Sequence, residues 1–240
     1  MMEILNAHER IALQLSGGRD SMACLYLLRD HLHRMTVYWV NTGDAFPETL
    51  EVIEHAKAIA SNFVEVAGDA LAVRRAFGLP SDIVPVSHTP AGIIGTDRGF
   101  LLQNRYDCCY RVMMLPMHQR MVEDGITLII RGQRNSDDVK GPLRSGESDM
   151  GVQYLFPIED WSSEQVMTYL REQGAPIPRF YEAMETLPDC MGCTAWWSEG
   201  RAAYLAAHHP EQHAAYQAGL DAIRGAMAEH IDNFNREVVL

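Results

Sequence analysis

Apolar residues fall along this chain in short unbroken runs, and glycine- or proline-rich turns separate the runs from stretches where they recur at helical spacing. The first run, Ile11-Ala12-Leu13-Gln14-Leu15, breaks into Ser16-Gly17-Gly18-Arg19-Asp20-Ser21 and is followed by the apolar-faced Met22-Ala23-Cys24-Leu25-Tyr26-Leu27-Leu28. A buried strand, a glycine turn and a helix are the economical reading. Met35-Thr36-Val37-Tyr38-Trp39-Val40, β-branched and aromatic, predicts a second strand. It runs into Asn41-Thr42-Gly43-Asp44-Ala45-Phe46-Pro47-Glu48-Thr49, and a helix is expected over about 50–61. Residues 62–66 predict a third strand, and the continuous run Ile126-Thr127-Leu128-Ile129-Ile130 a buried central one. Residues 153–158 read as a short strand, followed by a helix to Leu170 capped by Ser162 or Ser163. Strands alternating with helices predict an α/β fold: a doubly wound, mainly parallel sheet with helices on both faces.

Other segments follow different patterns. Residues 84–107 carry turn signals (Pro85, Pro90, Gly92, Gly95, Gly99) with little periodicity, as lids and binding loops do. Cys108-Cys109-Tyr110-Arg111 opens an expected helix through Met121, in which Met113, Met114, Met117 and Met121 read as core filler. Beyond Trp196 two or three polar-faced helices are expected, over residues 198–207 and from Pro210 to the mid-230s. His208, His209 and His213 lack a carboxylate or cysteine at fixed spacing and read as a helix junction. The chain thus divides into residues 1–195 and a C-terminal helical extension, residues 196–240.

With 240 residues, 47% apolar and 22% charged, the composition is that of a globular protein. The N-terminus has no basic region ahead of an apolar core, and no stretch approaches the roughly 18 apolar residues of a membrane span. A cytoplasmic protein without membrane partners is the expectation. A net charge of −12 opposes broad nucleic-acid binding, so any nucleic-acid substrate needs a dedicated surface or partner proteins. The five cysteines are an odd number, which in a reducing compartment suits metal binding better than a disulfide framework. Cys24, on the first helix, reads as a small buried hydrophobe.

The candidate chemistry lies at strand ends. Two adjacent glycines let the backbone approach a ligand closely while the following helix points its positive end there, which makes residues 16–21 a phosphate cradle. Its spacing is neither that of the Walker loop nor that of the dinucleotide fingerprint. Loops at the carboxyl ends of parallel strands line one crevice, so residues 41–49 should face the same ligand. Arg131 and Arg134, at the exit of the central strand, suit bidentate capture of phosphate or sulfate oxygens.

Ser16-Gly17-Gly18-Arg19-Asp20-Ser21 resembles the PP-loop of ATP pyrophosphatases, which cleave ATP between its α and β phosphates. The Asn-Thr-Gly-x-x-Phe-Pro-Glu-Thr run at 41–49, Gly132-Gln133-Arg134, and Pro157-Ile158 with Trp161, Val166 and Tyr169 ahead of residues 175–181 complete a set in family order. On these motifs the chain is similar to the adenylyl-sulfate/phosphoadenylyl-sulfate reductase family, within the adenine nucleotide α-hydrolase-like superfamily. The resemblance implies a nucleotide site made of Ser16, Gly17, Gly18, Arg19, Asp20, Ser21, Asn41, Thr42, Gly43 and Asp44. It further implies ATP and Mg²⁺ as ligands, with Asp20, Arg131 and Arg134 catalytic. Cys108-Cys109 with the distant Cys190-x-x-Cys193 resembles the iron–sulfur ligand set of adenylyl-sulfate reductases, implying a [4Fe–4S] cluster, with Zn²⁺ the alternative.

Two features depart from the reductases. No cysteine follows Cys193, whereas those enzymes attack the sulfate sulfur with a cysteine in a C-terminal tail. Their PP-loops also tend to be degraded, and this one is intact through Asp20 and Ser21. The expected activity is therefore ATP-dependent adenylylation of an acceptor, releasing pyrophosphate, ahead of sulfur insertion as in DNA phosphorothioation or nucleic-acid thiolation. A cysteine desulfurase is the expected sulfur donor, and a homodimer is left open. The competing readings are a reductase whose nucleophile comes from elsewhere and a nucleotide-binding module without turnover.

Overall fold

A computed structural model describes residues 1–94, 101–138, 140–197 and 200–238. In chain order its elements are α1 (Met2–Asn6), β1 (Ile11–Leu15), α2 (Arg19–Leu27), β2 (Met35–Asn41), α3 (Pro47–Ile59), β3 (Phe63–Ala67), α4 (Ala70–Phe77), β4 (Leu79–Ser81) and β5 (Leu102–Asn104). There follow α5 (Arg105–Cys109), α6 (Leu115–Glu123), β6 (Leu128–Ile130), β7 (Ser148–Asp149), β8 (Val152–Leu155), α7 (Ser163–Glu172), α8 (Arg201–His208) and the 29-residue α9 (Pro210–Val238). None of these helices is long and apolar enough to cross a membrane, among the described residues.

The chain forms two compact units. The first comprises Met1–Asn41, Phe46–Ala67 and Pro116–Arg179. Its six-stranded sheet has the order β3-β2-β1-β6-β8-β7, parallel throughout except for the edge strand β7. The mainly parallel α/β fold expected from the sequence is the one observed. Ile11, Ala12, Leu13 and Leu15 of β1, with Leu128, Ile129 and Ile130 of β6, are buried, as the centre of a parallel sheet requires. From β1 the strand order runs outward through β2 to β3, then resumes on the other side of β1 with β6. The carboxyl ends of β1 and β6 therefore flank a topological switch point, where open α/β sheets bind ligands.

Several boundaries differ from expectation. The helix expected from about residue 50 begins at Pro47, because proline preset to helical φ occupies its first turn and lacks only an N–H the helix would leave unbonded. At α7 Ser162 is the cap: its hydroxyl accepts from the Gln165 amide, and the Gln165 side chain returns a bond to the Ser162 N–H. The edge strand β7 was not expected. It is two exposed residues long, formed where Met150 and Gly151, both at positive φ, turn the chain back onto β8.

The second unit comprises Thr42–Ala45, Gly68–Leu115 and Phe180–Leu240. Helix α4, also unexpected, starts where the Asp69 carboxylate accepts from the Ala72 N–H and ends at Gly78. Gly78 has φ +94°, and a Cβ there would lie 2.1 Å from the Leu101 carbonyl, so only glycine admits β4 beside β5. The expected loop over 84–107 thus contains a strand. Its Gly95 and Gly99 lie outside the described residues, as does Ser198 of the helix expected from 198. The helix expected from Cys108 is interrupted: α5 passes through a π turn, Tyr110–Met114, into α6. The wider turn shifts the methionines off one stripe, so Met117 and Met121 are buried while Met114 is 55% exposed. Pro210 opens α9 as expected, and His208 packs against the Tyr204 ring at the α8–α9 junction.

Candidate functional site

In the first unit, β1 delivers the chain into a loop that ties itself together. The Ser16 N–H donates to Ser21 Oγ at 3.2 Å, the Gly18 N–H donates to Ser16 Oγ at 3.2 Å, and Ser21 Oγ donates to the Gly18 carbonyl at 3.0 Å. Gly17 turns the loop at φ +81°, and a Cβ there would come 2.8 Å from Thr49 Cγ2 of α3. Gly18 is the N-cap of α2, and no side chain caps that helix, so its first-turn amides keep their capacity to bind an anion.

The β6 exit closes onto this loop. A Cβ on Gly132 would lie 2.6 Å from the Asp20 carbonyl carbon and 2.8 Å from the Ser21 nitrogen, so the backbones touch and only glycine fits. Arg134, 6% exposed, places Nε 3.0 Å from Asp20 Oδ1 and Nη2 3.1 Å from Asp137 Oδ1, and donates through Nη1 to Ser163 Oγ. Arg19 donates to the same Ser163 hydroxyl at 3.1 Å. Burial raises the Asp20 pKa above the ordinary carboxylate value, and the Arg134 and Arg19 guanidiniums oppose that rise. Asp20 Oδ1 is buried and accepts no hydrogen bond despite its ion pair. That oxygen is engaged by Arg134, but the Asp20 side chain as a whole is still 29% exposed, which leaves the carboxylate a face for the implied Mg²⁺.

The other expected residues of this unit are placed differently. Arg131 donates through Nε to Gln14 Oε1 at 2.6 Å and lies over the Tyr154 ring. Its bonds do not include Asp20 or the glycine loop, so the structure joins Arg134, but not Arg131, to Asp20. Asn41 ends β2 two residues beyond Trp39, the register partner of Leu15, which sets it level with the loop. Its amide donates to Glu65 Oε1 at 2.8 Å. Cys24 is fully buried, as expected of a small hydrophobe.

In the second unit, two of the expected nucleotide contacts, Thr42 and Asp44, belong to a framework around the cysteines, and Gly43 turns the chain between them at φ +71°. Asp44 pairs with Arg74 at 2.6 Å, accepts the Gly192 N–H on Oδ2 at 3.0 Å, and accepts the Met191 N–H on its carbonyl. Its own N–H donates to Thr42 Oγ1. A Cβ on Gly192 would lie 2.9 Å from Arg74 Nη1 and 3.0 Å from Asp44 Oδ2, so the tips of this ion pair rest directly on the glycine inside Cys190-x-x-Cys193. Arg201, fully buried, donates to the Met191 and Trp196 carbonyls at 2.7 Å each and lies over the Tyr216 ring. Two arginines, Arg74 and Arg201, thus hold the cysteine loop from either side of the sequence.

The four thiols gather here. Cys108 packs with Ala70 and Val112, and Cys190 lies against that cluster. Burial pushes the Cys109 thiol up to about 12, and the neighbouring Cys193 and Cys108 add to the rise. Burial likewise raises Cys108 and Cys190, with Arg74 opposing in both. Four sulfur donors in one desolvated, cation-flanked region match the chemistry of an iron–sulfur or zinc group. Among the described residues, however, no three His, Cys, Asp or Glu side chains are arranged to hold a metal ion.

The profile of the phosphoadenosine phosphosulfate reductase domain matches residues 10–223. The chain belongs to that family. Among solved structures, this phosphoadenosine phosphosulfate reductase family member is similar to the phosphoadenylyl-sulfate reductase of Candida auris in its phosphate complex, with 14% identity, a TM-score of 0.57, and coverage of 78% of this chain and 85% of that one. It is also similar to yeast FAD synthetase in complex with FAD, at 13% identity, a TM-score of 0.44, and coverage of 76% and 56%. No curated protein is significantly similar to it.

Sequence reasoning about this family member missed Arg74, Arg201, Asp137 and Ser163. A signal existed for one of them: Asp69 followed by Ala70-Leu71-Ala72-Val73-Arg74-Arg75 is a capped helix start, which would have placed Arg74 on a helix. Ser163 acts on Arg19 and Arg134 across a long sequence separation, while Asp137 and Arg201 bond within three and ten positions where no periodic pattern marked them.

Proposed function

We propose that the chain is an ATP pyrophosphatase that transfers the adenylyl group of ATP to an acceptor oxygen, releasing pyrophosphate. The adenylylated acceptor is thereby activated for sulfur insertion, in DNA phosphorothioation or nucleic-acid thiolation. The observation that carries this reading is the intact loop of residues 16–21 with Asp20 joined to Arg134 beside the uncapped start of α2. In this reading the α2 amides and the Ser16 and Ser21 hydroxyls bind the β- and γ-phosphates. Arg134, held by Asp20, Asp137 and Ser163, stabilises charge on the α-phosphate, and Arg131 supplies more distant positive charge. The family's Gly-x-Arg element and the PP-loop resemblance support these roles. The acceptor oxygen attacks the α-phosphorus, the bond to the bridging oxygen of pyrophosphate breaks, and that oxygen leaves with its electron pair. Mg²⁺ entering with the nucleotide would neutralise phosphate charge, with Asp20 the carboxylate able to face it.

Cys108, Cys109, Cys190 and Cys193 are the proposed ligands of a [4Fe–4S] cluster, with Zn²⁺ the alternative; the donor type and the gathering of the thiols support this. A cysteine desulfurase is the proposed sulfur donor, nucleic acid is reached through partner proteins, and the proposed location is the cytoplasm. The family also contains reductases, so one experiment separates the readings. The protein is incubated with ATP and Mg²⁺ and, separately, with adenylyl sulfate and a thiol. Pyrophosphate from the first mixture supports adenylylation. Sulfite from the second, with no pyrophosphate from the first, replaces it with reduction, and tight nucleotide binding with neither product identifies a binding module.

A further inference from the structure

A cavity of about 650 Å³ opens in the first unit at the amino-terminal ends of β1, β2 and β3. It lies at the end of the sheet opposite the glycine loop, separated from it by the five residues of β1, about 16 Å at roughly 3.3 Å per residue. The whole chain carries a net charge of −12, yet this cavity is lined by three arginines, Arg10, Arg34 and Arg120, against two carboxylates, Glu9 and Asp124. Arg120 is neutralised: its Nε meets Asp124 Oδ2 at 2.8 Å, and the Tyr38 hydroxyl donates to the same oxygen at 2.6 Å. Arg10 acts on the same carboxylate only from beyond ion-pair distance, and Arg34 is left to neutral partners. Arg10 donates to the Asp124 carbonyl at 2.7 Å, and Arg34 donates to the Leu5 carbonyl at 3.0 Å and to Asn6 Oδ1 at 2.8 Å. Both guanidiniums are thus oriented by neutral oxygens, and among the described residues neither forms an ion pair. Oriented guanidiniums with spare donors are what bidentate binding of a phosphoryl group requires.

We propose that this cavity is a second ligand site, which takes a small organic phosphate. The phosphoryl group rests on Arg10 and Arg34, the organic body lies against Ile11 and Phe63, and Ser61 stands at the mouth. The volume falls within the range of small-molecule pockets, about 300–1,000 Å³. An extended polyanion such as a nucleic-acid strand is disfavoured, because most of its length would face an acidic surface. The site is separate from the proposed adenylyl-transfer chemistry and does not depend on it.

The test is calorimetric titration of the full chain with ribose 5-phosphate at low ionic strength, with ribose as the control. The wild type is expected to bind ribose 5-phosphate and not ribose, and the double variant Arg10→Gln/Arg34→Gln to bind at least tenfold more weakly. Since Arg34 also braces the N-terminal helix and Arg10 the turn at Asp124, Ser61→Glu provides a second arm: this exposed residue gives up none of the bonds above, and the added carboxylate should weaken binding several-fold. Absence of binding by the wild type, equal binding of ribose, or affinity unchanged in Ser61→Glu would each overturn the proposal.

Discussion

The glycine loop of the first unit and the cysteine loop of the second are both tight turns that glycine makes possible, but different forces hold them. The first is stitched by its own residues: Ser16, Gly18 and Ser21 bond one another within six positions, between a buried strand and a helix. The second is clasped by residues outside it, Asp44 and Arg74 far back in the sequence and Arg201 ten positions past Met191, two of them guanidiniums in a protein interior. A loop bonded within itself keeps its shape whatever its surroundings do. A loop held by buried ions depends on each partner, because removing one leaves the others unpaired and dry. On this difference, removing a clasping guanidinium should damage the fold more than removing any one bond within the glycine loop.

The largest effect is expected for Arg201→Leu, which deprives the Met191 and Trp196 carbonyls of their donor inside the protein. A loss of about 2–4 kcal/mol should appear in denaturant unfolding, together with loss of any bound iron or zinc measured by metal analysis. An unchanged midpoint would mean that the clasp holds nothing. Next, Gly132→Ala should cost about 1–3 kcal/mol, because its Cβ meets the Asp20 backbone, which cannot swing aside. Gly192→Ala should cost less, since the atoms it meets are tips of the Arg74 and Asp44 side chains. Measuring both by thermal unfolding ranks backbone against side-chain contact directly. Ser162→Ala removes the α7 cap and should cost about 1 kcal/mol, without touching a bond within either loop.

The smallest effect is at Asn41. Its amide, and then Lys57, hold the Glu65 carboxyl below its usual pKa of 4.5. A carboxylate whose pKa is lowered by folding contributes stability above 4.5, and loses it as the pH falls through the folded value. Glu65 is well exposed, so Glu65→Gln should cost only a few tenths of a kcal/mol at neutral pH. The gap from wild type should close in acid; a gap that widened there would reverse the assignment.

The same contrast explains what could be read from the sequence. The strand-turn-helix at residues 11–28 and the central strand were legible because burial and tight turning act on neighbouring residues, so the pattern is contiguous. The motif order carried the family. The partnership of Asp44 with Arg74 was not legible: Asp44 sits in a run that resembles a nucleotide-contact motif, and nothing in that run announces that its carboxylate is engaged by a helix that begins 26 residues later and by the backbone of Gly192. Likewise Arg131 and Arg134, three positions apart, looked equivalent. The structure turns one toward Gln14 and Tyr154 and the other toward Asp20, and only long-range packing decides between them. The π turn after Cys109 was also invisible, since no residue type marks it.

The central claim is that residues 16–21 and Arg134 bind the polyphosphate of ATP for cleavage between its α and β phosphates. The most direct measurement is pyrophosphate formed from ATP and Mg²⁺ by the wild type and by Asp20→Ala, assayed side by side with acceptor-containing extract. The account predicts release by the wild type and a loss of about 10²–10³-fold or more in the variant, with both proteins folded. Equal release from the two proteins would contradict it.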